Sequence, residues 1–250
     1  MAEKKTVLVR IKRQLAPDQK PYWEEFELTW RPFMNVIILL RDIAERPVTR
    51  EGKVTTPVAF DANCLEEVCG ACAMRINGKA RQACSALVDQ LEQPIRLEPL
   101  TKFPVVRDLF VDRSRMFENL KRMKAWVPID GTYHLGEGPR IAPEVQQRAY
   151  PLSRCITCGN CLEVCPQVNE RSDFVGAAII NQVRLFNLHP TGAMHKRERL
   201  DAVMGPGGVH DCANAQNCVK ACPKGIPLVE SISEVNRDAI RQAIFGWLFG

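Results

Sequence analysis

The chain of 250 residues lacks the long apolar runs and the N-terminal leader that would mark a membrane or secreted protein. Its N-terminus has no apolar core and no cleavage site, which argues against a signal peptide. The longest apolar stretch near the start, Phe33 to Leu40, is far too short to cross a bilayer, which takes about 20 residues. We therefore expect a soluble intracellular protein that only partner chains would hold at a membrane.

Motifs for nucleotide chemistry are also missing, since the chain has neither a G-x-G-x-x-G fingerprint nor a P-loop. The formal net charge of +5 suits a basic patch facing an acidic partner or lipid headgroups, and is too small to favour nucleic acid. The four histidines are scattered, and we expect each to be structural or exposed rather than a ligand: His134, His189, His195 and His210.

Cysteine, in contrast, is abundant, with 11 residues. The odd number and the clustering argue against a disulfide framework. They indicate a reducing compartment, where thiols remain available for metal.

The densest cluster of cysteines is the run from Cys155 to Pro166, which has the C-x2-C-x2-C-x3-C-P spacing of bacterial iron–sulfur proteins. Three thiolates on one tight loop wrap a cuboidal cluster, and the fourth ligates a second cluster. A second run, from Cys212 to Pro223, repeats this spacing except that Ala215 stands where the first has Cys158. Crossed ligation then gives a [4Fe–4S] cluster the ligands Cys155, Cys158, Cys161 and Cys222, and leaves the other cluster Cys165, Cys212 and Cys218.

Ala215 predicts that the second cluster has one iron fewer. A cubane corner without a thiolate and beside an aliphatic side chain loses its iron readily, so we expect a [3Fe–4S] cluster. Two zinc sites are the alternative. Zinc prefers four closed ligands in short pairs, and crossed runs that each end in Cys-Pro fit this poorly.

The first half of the chain carries a different spacing, Cys64-x4-Cys69-x2-Cys72 followed by Cys84, which is the plant-type pattern for a [2Fe–2S] cluster. A loop would supply three thiolates and a hairpin behind it the fourth. Gly70 stands where the loop passes close to the sulfides, and glycine tolerates the backbone angles that this requires. A single zinc ion held by the four thiolates is the alternative.

The pattern around these cysteines predicts an α+β protein. Thr6–Lys12 and Trp23–Trp30 alternate as a hairpin, Asn35 could cap a helix to about Glu45, and Asn77-Gly78 marks a type I′ turn. With a further strand at Ile95, this is the element order of a β-grasp domain of the plant-type ferredoxin kind. We expect it over residues 1–110, followed by an all-α, bacterial-ferredoxin-like domain over 111–250.

The second half is expected to be helical between the cysteine runs. The periodicity predicts a helix over 107–127 with a Glu118–Arg122 pair, then a surface connector to about Pro151. Further helices are predicted over 174–188, capped by Asp173, and over 197–204, before an amphipathic stripe and an apolar C-terminal tail. The predicted helix over 107–127 has a basic face, which is either solvated or a docking surface: Arg113, Arg115, Lys121, Arg122 and Lys124.

Three clusters in one chain suggest a series of redox centres for electron transfer, since such clusters change charge by one electron with little rearrangement. Nothing else in the sequence supplies bond chemistry, so electrons must enter from a cofactor on one partner and leave to another. The domain order suggests the path from a partner flavin through [2Fe–2S], [4Fe–4S] and [3Fe–4S] to an acceptor.

These motifs together resemble the iron–sulfur subunits of succinate dehydrogenase and fumarate reductase, most closely the Bacillus-type succinate dehydrogenases. The resemblance covers nearly the whole chain and includes Phe103-Pro-Val-Val-Arg-Asp-Leu and Cys222-Pro-Lys-Gly. It implies a flavoprotein partner with covalent FAD, a membrane anchor carrying two haems b, and menaquinone as the quinone. It also implies a peripheral position on the cytoplasmic face of the cell membrane.

Two departures from the family pattern matter. The first loop usually reads Cys-Arg-Glu-Gly-x-Cys, and the extra acid Glu67 in this chain should lower the potential of the adjacent cluster. Ubiquinone-using relatives carry a Trp soon after Cys-Pro and a His after the first Cys of the second run. Here those stretches begin Pro166-Gln-Val and Cys212-Ala213, which favours menaquinone and a quinone site in the anchor.

The expected function is therefore electron transfer in a succinate:menaquinone oxidoreductase, and no residue of this chain is expected to contact the dicarboxylate. Fumarate reductase, the same reaction in reverse, stays open because the sequence does not set the direction. A soluble fumarate reductase with a thiol donor and a zinc-stabilised interaction module stay open as well.

Overall fold

A computed structural model describes residues 5–128 and 139–246 of the chain. It divides into two compact units, one of residues 1–113 with 156–163 and the other of residues 114–155 with 164–250. His134 and the last four residues of the apolar tail lie outside the described residues.

A mixed five-stranded sheet forms the first unit. Its order is β2-β1-β5-β3-β4, in which β1 and β5 run parallel and the other neighbours antiparallel. This sheet with its packed helix α1 confirms the predicted β-grasp domain. The elements are β1 (Thr6–Arg13), β2 (Tyr22–Thr29), α1 (Val36–Glu45), β3 (Ala73–Ile76), β4 (Lys79–Gln82) and β5 (Ile95–Glu98).

The core of this unit follows from the alternation of its strands. Val7, Val9 and Ile11 point to one face and are fully buried against apolar side chains of α1. As predicted, Asn35 caps α1, because its Oδ1 accepts from the Ile38 N–H at 2.9 Å. The same side chain donates through Nδ2 to the Cys84 carbonyl at 2.9 Å, which ties the helix start to an expected ligand.

The β3–β4 hairpin places Cys84 as expected. Asn77 and Gly78 both have positive φ, 49° and 79°, which is the requirement of a type I′ turn. The returning strand ends at Gln82, and Cys84 follows.

The predicted helix over 107–127 is wrong at both ends. Strands β6 (Val105–Arg107) and β7 (Phe110–Val111) form a small hairpin, and helix α2 covers only Ser114–Arg122. Asp108 occupies the turn at φ 48° with a fully buried carboxylate, which accepts from Arg13 Nε at 2.9 Å and from the Ala59 N–H at 2.9 Å. These long-range bonds stabilise a hairpin where apolar spacing alone indicates a helix.

The second unit is helical, as predicted. Its elements are α2, α3 (Pro143–Ser153), α5 (Ala177–Leu188), α6 (Pro190–Ala193), α7 (Lys196–Met204), α8 (Asn217–Ala221) and α9 (Leu228–Phe245), while α4 (Asn160–Glu163) belongs to the first unit. Among the residues that the structure describes, no helix is both long and apolar enough to cross a membrane.

Three local predictions in this unit need correction. Part of the expected connector is helix α3, which begins at a proline, as helices often do. Helix α5 starts after Gly176, whose φ of 95° suits glycine, and Asp173 does not cap it. Glu118 pairs with Lys121 at 2.8 Å, because Arg122 donates instead to the Asp173 carbonyl.

A buried arginine joins helices α5 and α9. Arg184 is 3% exposed and donates to Glu234 at 2.7 Å, Glu230 at 2.6 Å and the Ser231 hydroxyl at 3.2 Å. Of the predicted apolar stripe on α9, Val235 and Ala239 are buried, whereas Ala243 is exposed.

Candidate metal centres

The loop from Cys64 to Cys72 turns its backbone N–H groups toward cysteine sulfurs. Cys64 Sγ accepts from the N–H groups of Val68 and Cys69, both at 3.2 Å. The Glu67 N–H donates to Cys84 Sγ at 3.2 Å, so the loop and the hairpin cysteine meet. Such a concave array of N–H groups favours negatively charged sulfur.

The electrostatics differ between the two sides of this group of cysteines. Backbone hydrogen bonds lower the pKa of the Cys64 thiol to about 7, which favours the thiolate. Burial raises the pKa of Cys84 to about 12, and the adjacent Cys72 adds to the rise. Cys72 and Cys84 are both buried, so they can become thiolates together only if positively charged metal ions replace their protons. The iron ions of a cluster would supply that positive charge.

Two polar side chains that were not predicted as site residues lie beside the ligands. Gln82 is buried, and its Oε1 accepts from Cys72 Sγ at 3.5 Å. Ser85 donates from its hydroxyl to the Glu67 carboxylate at 2.7 Å. Strand alternation next to Cys84 was the only signal for Gln82, and nothing local predicts the Ser85 contact.

Arg113, predicted to lie on an exposed basic face, is instead half-buried against the cluster loop. Its guanidinium donates to the carbonyls of Gly70, at 2.8 Å, and Ala71. Burial lowers the pKa of Arg113, while Asp61 and nearby cysteine sulfurs oppose that shift. Because arginine stays protonated in proteins, a fixed positive charge stands beside the loop.

Gly70 brings the first cysteine loop against the segment 156–161 within the same unit. A Cβ at this position would lie 2.4 Å from the Ile156 carbonyl oxygen and 3.0 Å from Cys158 Cβ. The φ of Gly70 is also positive, at 76°. This close approach has room for glycine only, which agrees with the tight loop predicted at this residue.

The two cysteine runs have the same local backbone. Thr157 and Asn214, at equivalent positions, both have φ 52°, and two residues on Gly159 and Gln216 are again left-handed, at 88° and 59°. Helices α4 and α8 then begin at Asn160 and Asn217. Alternating left-handed residues turn successive N–H groups to one side, so the repeated spacing produces a repeated cradle.

In the second unit, the three cysteines expected for the [3Fe–4S] cluster come together around a cavity. Its lining includes Cys165, Cys212 and Cys218, with Ala215 and the apolar side chains of Phe174 and Ile232. Burial raises the pKa of Cys218. The cavity therefore offers three thiols and a methyl group where a fourth ligand would stand.

The remaining expected ligands are placed as follows. Cys158 and Cys161 are buried in the first unit, whereas Cys155 and Cys222 belong to the second, where Cys222 Sγ accepts from the Ile226 N–H at 3.5 Å. All 11 cysteines are free of disulfides. Within residues 5–128 and 139–246, no group of three or more His, Cys, Asp or Glu side chains forms a site for a single metal ion.

Three features fit iron–sulfur clusters: cysteines without disulfides, N–H groups directed at sulfur, and a loop that passes too close to its neighbour for any side chain at Gly70. Comparison with protein-family models supports the assignment to iron–sulfur clusters. Residues 8–118 match the 2Fe-2S iron-sulfur cluster binding domain, and residues 151–226 match the 4Fe-4S dicluster domain. The fold and the cysteine loops thus define an iron–sulfur protein that combines a 2Fe-2S domain with a 4Fe-4S dicluster domain.

Comparison with whole proteins narrows this class. The chain is 62% identical to the succinate dehydrogenase iron-sulfur subunit of Bacillus subtilis, over 97% of this chain and 96% of the relative. It is 32% identical to the fumarate reductase iron-sulfur subunit of Wolinella succinogenes, over 88% and 91% of the two chains. The chain belongs to the family of iron–sulfur subunits of succinate dehydrogenase and fumarate reductase, which confirms the resemblance found in the sequence.

A solved structure supports the fold. The chain superposes with a TM-score of 0.80 on a chain of the Mycobacterium smegmatis Sdh1 complex in the apo form, covering 96% of this chain and 98% of that one at 21% identity.

Proposed function

We propose that this chain is the electron-transfer subunit of a succinate:menaquinone oxidoreductase. The observation that carries the proposal is the repeated cysteine loop with Ala215 in place of the fourth thiol, in a chain that also holds a four-cysteine β-grasp loop. This combination serves three clusters of different type. It supplies no residue for bond chemistry on a dicarboxylate.

The proposed ligands are those that the spacing indicated. The [2Fe–2S] cluster would be held by Cys64, Cys69, Cys72 and Cys84. The [4Fe–4S] cluster would be held by Cys155, Cys158, Cys161 and Cys222, and the [3Fe–4S] cluster by Cys165, Cys212 and Cys218.

The residues around these ligands control charge and water. When bound, the clusters take up and release single electrons. The N–H groups of the 64–72 loop and the Arg113 guanidinium stabilise the negative charge that reduction adds. Phe174 and Ile232 line part of the cavity of the second unit with apolar surface, which offers water no hydrogen-bond partner on that side of the cluster site.

The similarity to the Bacillus subtilis succinate dehydrogenase subunit supports the proposed partners. The chain would receive electrons from FAD on a flavoprotein partner and pass them to a di-haem cytochrome b anchor and menaquinone. It would lie on the cytoplasmic face of the cell membrane, held by these partners.

The decisive test is EPR of the anaerobically purified full-length protein, oxidised and then reduced with dithionite. We expect a sharp signal near the free-electron value in the oxidised state, from the [3Fe–4S] cluster, and a rhombic [2Fe–2S] signal on reduction. An oxidised protein that is silent but iron-rich would contradict the assignment at Ala215. Zinc without iron would replace the whole proposal by a zinc-stabilised interaction module.

Replacing Ala215 by cysteine should convert the third site. A thiolate at this position completes four ligands, so the sharp oxidised-state signal should disappear and the iron content should rise by one atom per chain. Ala215→Ser is the matched control, since a hydroxyl binds iron poorly and should leave the signal in place. A cysteine variant that keeps the sharp signal would show that Ala215 does not occupy the open corner.

Fumarate reductase is the second candidate, because relatives of both kinds match over most of the chain. Succinate oxidation and fumarate reduction, measured in the assembled complex with matched quinones, would distinguish the two. Faster fumarate reduction with the low-potential quinone would favour this candidate.

A further inference from the structure

Gln82 is buried, and one of the two polar atoms of its side-chain amide has no hydrogen-bond partner among the described residues. It ends strand β4 and has no exposed surface. Its Oε1 lies 3.5 Å from Cys72 Sγ, while its Nε2 is buried without a hydrogen-bond partner among the described residues. Buried polar groups without partners are rare in folded proteins, so this one requires an explanation.

The observed contact requires Cys72 to be a thiol. An amide oxygen only accepts, so the sulfur must supply the proton. Our inference rests on the proposed function, in which Cys72 is an iron ligand. Ligating cysteine is a thiolate without a proton, and its charge would then face the lone pairs of the amide oxygen.

Rotation of the amide by a half-turn removes this conflict. The exchange of Oε1 and Nε2 leaves the shape of the side chain almost unchanged, because oxygen and nitrogen are nearly equal in size. Nε2 then donates to Cys72 Sγ, and the unpaired group becomes a carbonyl oxygen, which is the less costly of the two to bury alone.

The backbone holds both residues in place for this contact. Ala73, next to Cys72, pairs with Gln82 across the β3–β4 ladder, and the Ala83 N–H donates to the Cys72 carbonyl at 3.1 Å. Cys72 itself is only 4% exposed, so water competes little for its sulfur. A hydrogen bond in such surroundings is stronger than one in water.

We infer that Gln82 is a positioning residue that donates an N–H···S hydrogen bond to the Cys72 thiolate and raises the reduction potential of the [2Fe–2S] cluster. Reduction adds negative charge to the cluster and its sulfurs. A donor aimed at a ligand sulfur therefore stabilises the reduced form more than the oxidised form.

The test is an EPR-monitored redox titration of the full-length protein in its complex, with Gln82→Met. Methionine has nearly the same length and volume but no N–H. We expect the equilibrium constant for [2Fe–2S] reduction to fall about tenfold, equal to about 59 mV for a one-electron couple, while the other two clusters keep their potentials. Gln90→Met, at an exposed position, is the matched control and should change nothing.

A second measurement covers the case in which Gln82→Met does not retain the cluster. Wild-type protein with 15N in its glutamine side-chain amides should show a 15N coupling to the reduced [2Fe–2S] cluster by pulsed EPR. If no 15N coupling is seen, or if the potential of Gln82→Met equals that of wild type, this inference is overturned while the proposed function still stands. A wild-type protein without any [2Fe–2S] signal would refute the proposed function and the inference with it.

Discussion

Glu67 shows how one residue combines backbone strain with electrostatics. Its φ of 57° is left-handed, a conformation that glycine adopts at little cost and glutamate rarely. The usual loop pattern of the family has glycine at this position. In this chain the Ser85 hydroxyl holds the Glu67 carboxylate while the Glu67 N–H donates to Cys84 Sγ. The negative charge of Glu67 is therefore held by the residue that follows Cys84, an expected ligand.

Removing this charge should raise the potential of the [2Fe–2S] cluster. Glu67→Gln keeps the size and the backbone, so the reduced and more negative form becomes easier to reach. Ser85→Ala should give part of the same shift, because it frees the carboxylate to move toward solvent. An EPR-monitored redox titration measures both variants.

The control for these variants is Glu92→Gln, which removes the same charge from an exposed position in the same unit. Its potential should match that of wild type. If Glu67→Gln also matched wild type, the hypothesis that Glu67 tunes the cluster would be abandoned.

Among the elements, the loop 64–72 depends most on a single glycine. Gly70→Ala should lower the iron content of the purified protein and destabilise the first unit. The new Cβ would overlap the Ile156 carbonyl, which is backbone and cannot rotate away. The left-handed conformation adds a cost of about 1 kcal/mol or more. Iron analysis and thermal unfolding provide the measurement.

Gly52→Ala separates the two effects, since Gly52 also has a positive φ, 83°, but nothing lies within 4 Å of an added Cβ. This control should cost only the backbone strain and keep all its iron. Equal effects of the two substitutions would show that the contact between the loop and Ile156 is unimportant.

The elements also show where prediction from sequence succeeded. Helix α1 and the β3–β4 hairpin were predicted because their signals are local: an Asx cap and an Asn-Gly turn. The β6–β7 hairpin was missed because Asp108 is stabilised there by Arg13, 95 residues earlier in the chain. No window of sequence contains both partners.

On the scale of the whole molecule, cluster removal should loosen the cysteine loops before the cores. The sheet and α1 of the first unit bury their apolar side chains mainly against each other, and the cluster loop contributes only Cys72 to this core. The loops 64–72, 155–165 and 212–222, in contrast, contain little regular structure besides short helical turns. Metal binding supplies much of the folding free energy of such segments.

We therefore expect chelation of iron under reducing conditions to abolish hydrogen-exchange protection in these loops, while amides of β1 remain protected. Mass spectrometry of holo and apo protein would measure this. The holo protein kept in the same buffer without chelator is the control. Equal loss of protection in β1 and in the loops would show that the clusters hold the whole unit together.

The sequence by itself determined the class of protein and the types of cluster expected. Ligand identity and spacing are properties of short stretches of chain. The alanine at one ligand position is therefore recognised from the sequence without knowledge of the fold. The β-grasp order followed from turn and cap residues for the same reason.

Only the tertiary structure decided which side chains surround the ligands. Gln82 meets Cys72 from a neighbouring strand, and Arg113 reaches Gly70 from 43 residues away. Arg113 was predicted to be solvent-exposed because its own neighbours in sequence are charged. Potentials depend on such contacts, and contacts between distant residues exist only once the chain has folded.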